Sequence, residues 1–214
     1  MECCDFDYRL QAPFCLTISG PTQSGKTTIV KNILLRRYEL ISVPIDNILY
    51  CYTEYQPAFD ELKTAIPSIQ FHQGLPDEIA DPLDRHKLVI LDDLMEEICS
   101  NKSYSTLFTR TSHHRNVSII YLTQSFFEKA QKILTRNCQY ICFTKNPREV
   151  SQVHCFGRQL TRNGKQNKAL EECYQNVLNE SYGHVFIDLH MCQNDLYRIR
   201  DSIFPEKCVI FKSN

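Results

Sequence analysis

The amino-acid sequence predicts an α/β fold in which helices flank a central, mostly parallel β-sheet. Short apolar runs, typical of buried strands, alternate along the chain with segments whose apolar residues recur at helical spacing. A turn with two glycines joins the first strand to the first helix, and a later apolar run ends in two consecutive carboxylates. Strands that alternate with helices favour a parallel sheet with helices on both faces. The 214 residues, 43% of them hydrophobic, are enough for one such domain.

Strands are predicted where apolar residues are dense. The predicted strands span 13–19, 46–53, 86–93, 116–124, 138–145, 183–190 and 195–202, with a further short strand within 68–76. The last two lie close together in the chain, so we expect them to form a C-terminal β-hairpin within an extension over 183–205.

Helices are predicted between these strands. The predicted helices span 26–40, 58–66, 125–137, 146–160 and 165–181. The first has apolar residues at Ile29, Val30 and Ile33, which is the spacing of one helix face. Pro67 ends the second helix, and Asn146 followed by a proline is typical of a helix start.

Residues 12–214 are expected to form a single domain behind an N-terminal tail, residues 1–11. No apolar run approaches the ~18 residues that a membrane span requires, and the N-terminus lacks the basic and apolar regions of a secretory signal. The 11 cysteines include no Cys-x-x-Cys pair, which predicts reduced thiols in an intracellular protein of the nucleus or cytoplasm. A zinc site at Cys138, Cys142 and residues 154–155 is an alternative that their spacing supports only weakly.

The net charge of −1 conceals an uneven distribution of charge. Residues 1–100 hold 8 Lys and Arg against 16 Asp and Glu, residues 101–170 hold 12 against 2, and residues 171–214 hold 4 against 7. The basic segment 101–170 is typical of a protein that binds a polyanion such as nucleic acid. A face that balances the acidic part of a neighbouring subunit explains the same distribution, so both interpretations stay open.

The sequence GPTQSGKTT, residues 20–28, follows a predicted strand and opens a predicted helix. Gly20 and Gly25 free the backbone to curl, so that its N–H groups point at phosphate oxygens, and the helix dipole adds positive charge there. Lys26 places a charge on the β- and γ-phosphates, and Thr27 offers a hydroxyl to Mg²⁺. These residues predict a P-loop, or Walker A motif, that binds ATP and Mg²⁺. The predicted nucleotide-binding residues are Gly20, Pro21, Thr22, Gln23, Ser24, Gly25, Lys26, Thr27 and Thr28.

The run KLVILDD, residues 87–93, ends a predicted buried strand in two carboxylates. A buried carboxylate without a partner is costly, and a Mg²⁺ ion with its waters would offset that cost. We therefore predict that Asp92 is the metal-side carboxylate of a Walker B motif. Asp93 follows directly and is the predicted base, or water-polarising residue.

The order of strands narrows the class of nucleotide-binding protein. One strand, 46–53, lies between the P-loop strand and the strand that ends at Asp92. The strand that comes after Asp92, 116–124, ends in a polar residue, Gln124. This arrangement resembles the ASCE division of P-loop NTPases, which implies that the second acidic residue activates water and that Gln124 senses the γ-phosphate. Nucleoside kinases usually lack the inserted strand, so a kinase is the weaker interpretation.

A basic stretch that contains Arg110 and Arg115 precedes the strand 116–124. A basic segment before a strand that ends in Thr-Gln resembles the FtsK–HerA family of DNA-pumping ATPases, whose rings carry an arginine here that reaches the neighbour's nucleotide. The resemblance implies this role for Arg115 first and Arg110 second. A guanidinium in that place neutralises charge that develops on the transferred phosphoryl group. A surface basic patch is the alternative for either residue.

Five segments sharpen the resemblance. They are SGPTQSGKTT, VILDDLM, SIIYLTQ, ICFTKNPRE, and YGHVFIDLH with the YRIRDSIFP that follows it. Together they resemble the genome-packaging ATPases of the FtsK–HerA superfamily from eukaryotic double-jelly-roll-capsid viruses, of the poxvirus, adintovirus and Polinton/Maverick types. The resemblance extends over about residues 12–205. This chain has Asp92-Asp93 where the family commonly has Asp-Glu, so the shorter second carboxylate must lie closer to the water it activates.

The resemblance implies an ATP-hydrolysing subunit of a homo-oligomeric ring that translocates double-stranded DNA into a capsid. The implied partners are DNA, bound without sequence preference through the basic segment 101–170, and a capsid or portal-vertex protein at the assembling virion. The side chains expected to follow the DNA phosphates are Lys129, Lys132, Arg158, Arg162, Lys165 and Lys168. Two alternatives stay open: an ATP-gated module that binds DNA or a capsid protein with little turnover, and a nucleotide or nucleoside kinase.

Overall fold

The computed structural model describes residues 7–77, 79, 85–100, 116–128, 132–160, 165–191 and 193–212. Within these residues, eight strands form one sheet. They are β1 (Cys15–Ser19), β2 (Asn47–Tyr52), β3 (Ile69–Gln73), β4 (Lys87–Asp92), β5 (Val117–Thr123), β6 (Tyr140–Thr144), β7 (His184–Asp188) and β8 (Ile199–Arg200). Every predicted strand is present, and most are shorter than predicted by one or two residues at an end.

The strands lie in the order β3-β2-β4-β5-β1-β6-β7-β8 across the sheet. Strands β1 to β6 pair in parallel, whereas β7 is antiparallel to β6 and β8 is antiparallel to β7. The predicted α/β class and the C-terminal hairpin are thus confirmed. Because β1 to β6 run parallel, their carboxyl ends meet at one edge, where Ser19 is level with Thr123 and Asp92 with Leu122.

β5 is the strand that separates β1 from β4 in the sheet. The sequence analysis treated the strand 46–53, which lies between these two in the chain, as the inserted strand, and that prediction is wrong. That strand is β2, and both β2 and the short strand β3 lie beyond β4 in the sheet. Order along the chain does not fix order in a parallel sheet, because a crossover helix can carry the chain past its neighbour. β5 is buried at every position, as a central strand must be.

The described residues also form seven α-helices. They are α1 (Lys26–Leu35), α2 (Arg37–Leu40), α3 (Ala58–Ala65), α4 (Met95–Ser100), α5 (Lys132–Arg136), α6 (Val150–Leu160) and α7 (Lys165–Asn179). A 3₁₀ turn at Asp195–Tyr197 takes the place of the first half of the predicted last strand, which leaves β8 only two residues long. No helix in the described part of the chain has the length and hydropathy needed to cross a membrane.

Two predicted helices have different bounds in the structure. The helix predicted over 26–40 is interrupted at Arg36, between α1 and α2. The helix predicted over 146–160 begins four residues late, as α6. Asn146 does not cap that helix, because its side chain accepts a hydrogen bond from the backbone N–H of Arg148 and forms a separate turn.

The helix predicted over 125–137 is present in part among the described residues, since Lys132–Arg136 are helical as α5 whereas 125–128 are not. Phe126 explains the difference, because its ring packs edge-on against Phe143 of β6, with 5.1 Å between the ring centroids. Contacts with the sheet thus override the local helical pattern.

Apolar side chains pack against both faces of the sheet. On one face, α1 and α3 bury Ile33 and Phe59 against side chains of β1, β2 and β4. On the opposite face, α4 and α5 contribute Ile98 and Leu134. α6 and α7 cover β6 and β7, where Tyr174 is fully buried. The result is the predicted three-layer arrangement of helices around a sheet.

Leu10 joins the first of these clusters and is 1% exposed. Its backbone N–H donates to the carbonyl oxygen of Leu40, and its own carbonyl accepts from Ser42. The division of the chain into a tail, 1–11, and a domain, 12–214, stays a prediction.

Candidate functional site

A cleft of about 1050 Å³ opens at the edge of the sheet where β1, β4 and β5 end. Its walls come from the turn after β1, the start of α1, the residues that follow β4 and β5, and the turn between α7 and β7. The predicted P-loop residues in its lining are Thr22, Gln23, Gly25, Lys26, Thr27 and Thr28. Small-molecule sites commonly have volumes of roughly 300–1,000 Å³, so this cleft can hold a nucleotide.

Two glycines give the turn after β1 its shape. Gly25 has a φ of 92°, in the left-handed region that favours glycine, immediately before α1. At Gly20, a Cβ atom would lie 1.7 Å from Oγ1 of Thr144, so a larger residue does not fit there. Oγ1 of Thr144 also lies 2.7 Å from Oγ of Ser24 and 3.2 Å from the carbonyl oxygen of Ser19. The end of β6 therefore holds the loop in place, through a residue that the sequence analysis did not select.

The ammonium group of Lys26 lies within this loop. Its Nζ donates to the carbonyl oxygens of Gly20 and Pro21 at 2.6 and 2.9 Å. Burial lowers the pKa of Lys26, and the negative charges of Asp92 and Asp93 oppose that shift. The N-terminus of α1 has neither a side-chain cap nor an acidic residue in its first turn, so its backbone N–H groups suit an anion.

The carboxylate of Asp92 is buried at the end of β4, with 7% of the residue exposed. The hydroxyl of Tyr50 donates to its Oδ2 at 2.8 Å. Burial raises the pKa of Asp92, whereas the hydrogen bond from Tyr50 and the charge of Lys26 lower it. The sequence analysis missed Tyr50, although alternate residues of a strand share a face. Tyr50 lies two positions before Tyr52, which is level with Asp92.

Asp93 turns away from the direction of β4. Its φ of 56° is left-handed, a conformation that aspartate adopts more readily than most residues. The side-chain amide of Gln124 donates to Oδ2 of Asp93 at 3.1 Å and lies 3.4 Å from Oδ1. Both residues are exposed in the cleft. The structure therefore brings together the predicted base and the predicted γ-phosphate sensor.

The oxygen atoms at the cleft fit a Mg²⁺ ion. Thr27 and Asp92 both line the cleft, and a hydroxyl and a carboxylate are ligands that this hard cation prefers. Mg²⁺ usually keeps several waters and takes one or two protein oxygens alongside substrate phosphates. Among the residues that the structure describes, no three His, Cys, Asp or Glu side chains are grouped as a metal site of their own.

Comparison with solved structures identifies the architecture. B204, the DNA-packaging ATPase of Sulfolobus turreted icosahedral virus, has a TM-score of 0.52 at 12% sequence identity, over 84% of this chain and 94% of that chain. The genome-packaging NTPase B204 of Sulfolobus turreted icosahedral virus 2 is similar in two complexes. With AMPPCP the TM-score is 0.51 at 12% identity, over 83% and 93% of the two chains, and with sulfate it is 0.50 at 11% identity, over 86% and 93%.

The chain has a P-loop NTPase fold. The resemblance noted in the sequence is thus confirmed for the fold, whereas the roles of individual residues rest on the geometry of the cleft. No protein-family model matches the sequence, and no curated protein does so either.

Several predicted residues lie outside the part of the chain that the structure describes. They are Arg110, Arg115, Lys129, Arg162 and the side chain of Lys165. Of the other basic residues expected to follow DNA, Lys132, Arg158 and Lys168 are exposed. Lys168 lies 3.9 Å from Glu172, so part of its charge is balanced within α7.

The cleft is strongly acidic. Six carboxylate side chains line it, those of Glu54, Asp92, Asp93, Glu96, Glu97 and Glu128. Lys26 is the one lysine or arginine among its described lining residues. A bound nucleoside triphosphate would add further negative charge to this cleft. Its favourable binding therefore requires positive charge in addition to that of Lys26.

Proposed function

We propose that this protein is an ATP-hydrolysing subunit of a homo-oligomeric ring that translocates double-stranded DNA into a viral capsid. The observation that carries the proposal is the meeting of three elements at one cleft. They are the P-loop with Lys26, the buried carboxylate of Asp92, and the exposed pair of Asp93 and Gln124. This combination supports hydrolysis of a nucleotide and not only its binding.

The phosphates of ATP would lie against the N-terminus of α1 and the ammonium group of Lys26. When bound, Mg²⁺ supplies positive charge to the β- and γ-phosphates, and Thr27 and Asp92 are the residues that would hold it. Asp92 can do so only while it is ionised, and the hydrogen bond from Tyr50 favours that form.

Asp93 is the residue to which we assign the polarisation of the attacking water. In this structure the carboxylate of Asp93 accepts a hydrogen bond from the side-chain amide of Gln124. An arriving γ-phosphate offers Gln124 a different acceptor, and Gln124 would then release the carboxylate of Asp93 for the water. The contact between these two side chains would thereby couple the sensing of ATP to its hydrolysis.

The length of β5 supports the assignment of Arg115 to a neighbouring subunit's site. Arg115 precedes Asn116 just before the start of β5, whereas Gln124 follows the other end of the strand. The seven residues of β5 span roughly 23 Å at about 3.3 Å per residue. Asn116 therefore lies at the end of β5 that is opposite the cleft of its own chain. We assign Arg115 to the site of a neighbouring copy, as in a ring, with Arg110 as the second choice.

The position of β5 also argues against a nucleoside kinase. Kinases of this class usually lack a strand between the P-loop strand and the acidic strand, and here β5 lies between them. An ATP-gated binding module would use the same cleft, so hydrolysis itself has to be measured.

The test is the rate of ATP hydrolysis with and without duplex DNA, together with the mass of the assembly formed with a non-hydrolysable ATP analogue. We expect DNA to stimulate hydrolysis and the analogue to stabilise a ring. Lys26→Ala should lose ATP binding, because it removes the charge on the phosphates. Asp93→Asn should bind ATP but hydrolyse it at least about 100-fold more slowly, since a general base contributes roughly 10²–10⁴ in rate.

Glu97→Gln is the matched control, because Glu97 lines the cleft without an assigned role. Full turnover by Asp93→Asn would contradict its assignment as the base. Tight ATP binding with little turnover, unaffected by DNA, would favour the ATP-gated binding module over the DNA-translocating ATPase.

A further inference from the structure

Tyr182 lies in the turn between α7 and β7 and lines the nucleotide cleft. It is 71% exposed, although a tyrosine ring gains free energy from burial. Its φ of 62° is left-handed, which is unusual for a bulky side chain. Backbone strain of this kind is often found at ligand-binding sites, where surrounding contacts hold it.

The ring of Tyr182 lies against the backbone of the P-loop. A Cβ atom at Gly25 would lie 3.3 Å from Cδ1 of Tyr182 and 3.7 Å from its Cβ. Gly25 directly precedes Lys26 and the first turn of α1, so the ring of Tyr182 stands beside the place proposed for the phosphates.

Several contacts fix the turn that carries Tyr182. The backbone N–H of Lys145 donates to the carbonyl oxygen of Gly183 at 3.1 Å, and its Nζ donates to that of Glu180 at 3.2 Å. A Cβ atom at Gly183 would lie 2.8 Å from the carbonyl oxygen of Val177, so the chain is closely packed there. The exposed ring is therefore presented by a well-anchored segment.

We propose that Tyr182 stacks on the base of the nucleotide whose phosphates occupy the P-loop. This inference rests on the proposed function, because it assumes that the cleft binds a nucleoside triphosphate. Among the described lining residues, aromatic rings belong to Tyr52 and Tyr182. The ring of Tyr52 already packs against Phe59, with 5.1 Å between the ring centroids. The ring of Tyr182 is therefore the one we assign to stacking on the base.

The chemistry of a stack defines the ligand class. Every nucleobase has a π-face, so stacking stabilises a bound base without reading its hydrogen-bonding edge. We therefore expect purine nucleoside triphosphates to bind with similar affinity, and inorganic tripolyphosphate to bind without any contribution from Tyr182.

The chain contains no tryptophan, which permits a direct test. Tyr182→Trp introduces a single tryptophan whose fluorescence should change on addition of ATP but much less on addition of tripolyphosphate. Tyr182→Ala should weaken ATP binding roughly tenfold, as expected for the loss of one aromatic stack, and should leave tripolyphosphate binding unchanged. Tyr182→Phe should keep the affinity, since it keeps the ring.

Two controls separate this effect from folding. Tyr38→Ala removes a tyrosine that is 57% exposed outside the cleft and should leave ATP binding unchanged. Tyr182→Gly relieves the backbone strain of the left-handed conformation. The midpoint temperature of its thermal unfolding should therefore equal or exceed that of the wild type, while its ATP affinity falls.

Equal ATP affinity in wild type and Tyr182→Ala, with tripolyphosphate still competing, would overturn the stack and leave the proposed function intact. If neither ATP nor tripolyphosphate binds to the wild type, the proposed function fails and the stack fails with it.

Discussion

Burial and neighbouring groups act on the pKa of Asp92 in opposite directions. Burial favours its neutral form, while the hydroxyl of Tyr50 and the charge of Lys26 favour the ionised form. The proposed metal site needs the ionised form. We therefore predict that Tyr50 supports metal binding as a positioning residue, through its hydrogen bond to Asp92.

Tyr50→Phe tests this role. We expect the pKa of Asp92 to rise, because phenylalanine cannot donate the hydrogen bond that favours the ionised carboxylate. Protonation would then abolish metal binding at a higher pH, so the acidic limb of the ATPase pH profile should move to higher pH. Tyr140→Phe is the control, since the Tyr140 hydroxyl accepts from the backbone of Gln11 away from the cleft. An unshifted limb in Tyr50→Phe would contradict the assignment.

Sequence patterns located the residues that belong to a local motif or follow an apolar strand. Lys26 directly follows the glycine turn and begins α1, and Asp93 and Gln124 each follow an apolar strand whose end had to lie at the shared edge of a parallel sheet. Tyr50 donates to Asp92 and Tyr182 lines the cleft, but neither belongs to the P-loop or follows a strand end that the sequence placed at the cleft. Their contribution depends on which strands become neighbours, and that is decided by packing of the whole sheet.

At the scale of elements, apolar density predicted the strands well and helical spacing predicted the helices less well. A buried central strand such as β5 has an apolar environment on both faces. Its apolar composition alone is therefore enough to predict it. Near Phe126, helical spacing predicted a helix, but the ring of Phe126 packs against Phe143 of β6 and Phe156 of α6. Long-range contacts of this kind leave no periodic signal in the sequence.

The contact between α6 and α7 gives a prediction at this scale. A Cβ atom at Gly157 would lie 2.7 Å from Oδ1 and 3.2 Å from Cα of Asn167. Alanine in the middle of a helix is normally more stable than glycine by roughly 0.5–1 kcal/mol. For Gly157→Ala we expect the reverse, a free energy of unfolding lower by about 1–3 kcal/mol, because the helices must move apart.

Chemical denaturation measures this change. Gln159→Ala, at an exposed position of the same helix, should leave the free energy of unfolding nearly unchanged. A stabilised Gly157→Ala protein would show that α6 and α7 do not depend on this close approach.

At the scale of the whole molecule, a neutral histidine joins the C-terminal strands to the rest of the domain. His184, at the start of β7, is 9% exposed, and its Nε2 accepts from the backbone N–H of Ile203 at 3.4 Å. Burial lowers the pKa of His184 to about 4, although a hydrogen bond with the backbone of Tyr182 partly opposes this shift. A charged imidazolium is therefore disfavoured in the folded chain.

Stability should depend on pH accordingly. Between pH 6.5 and about 4, the unfolded chain binds a proton at His184 that the folded chain does not bind. The free energy of unfolding therefore falls as the pH falls through this range, by up to roughly 3 kcal/mol from this residue. Urea denaturation at several pH values should show a weaker dependence for His184→Gln than for the wild type. His72→Gln, at an exposed position, should behave as the wild type does. Identical pH dependence in His184→Gln and wild type would contradict this prediction.

The shortness of β8 has a consequence for behaviour at high concentration. Exposed, long edge strands recruit strands from other molecules and lead to aggregation. β8 has two residues, and one of them, Arg200, already pairs with Ile210 on its outer side. This edge therefore offers almost no template for another chain. We expect copies of the protein to associate through side chains and not by extension of the sheet at β8, so that contacts between them can open and close reversibly.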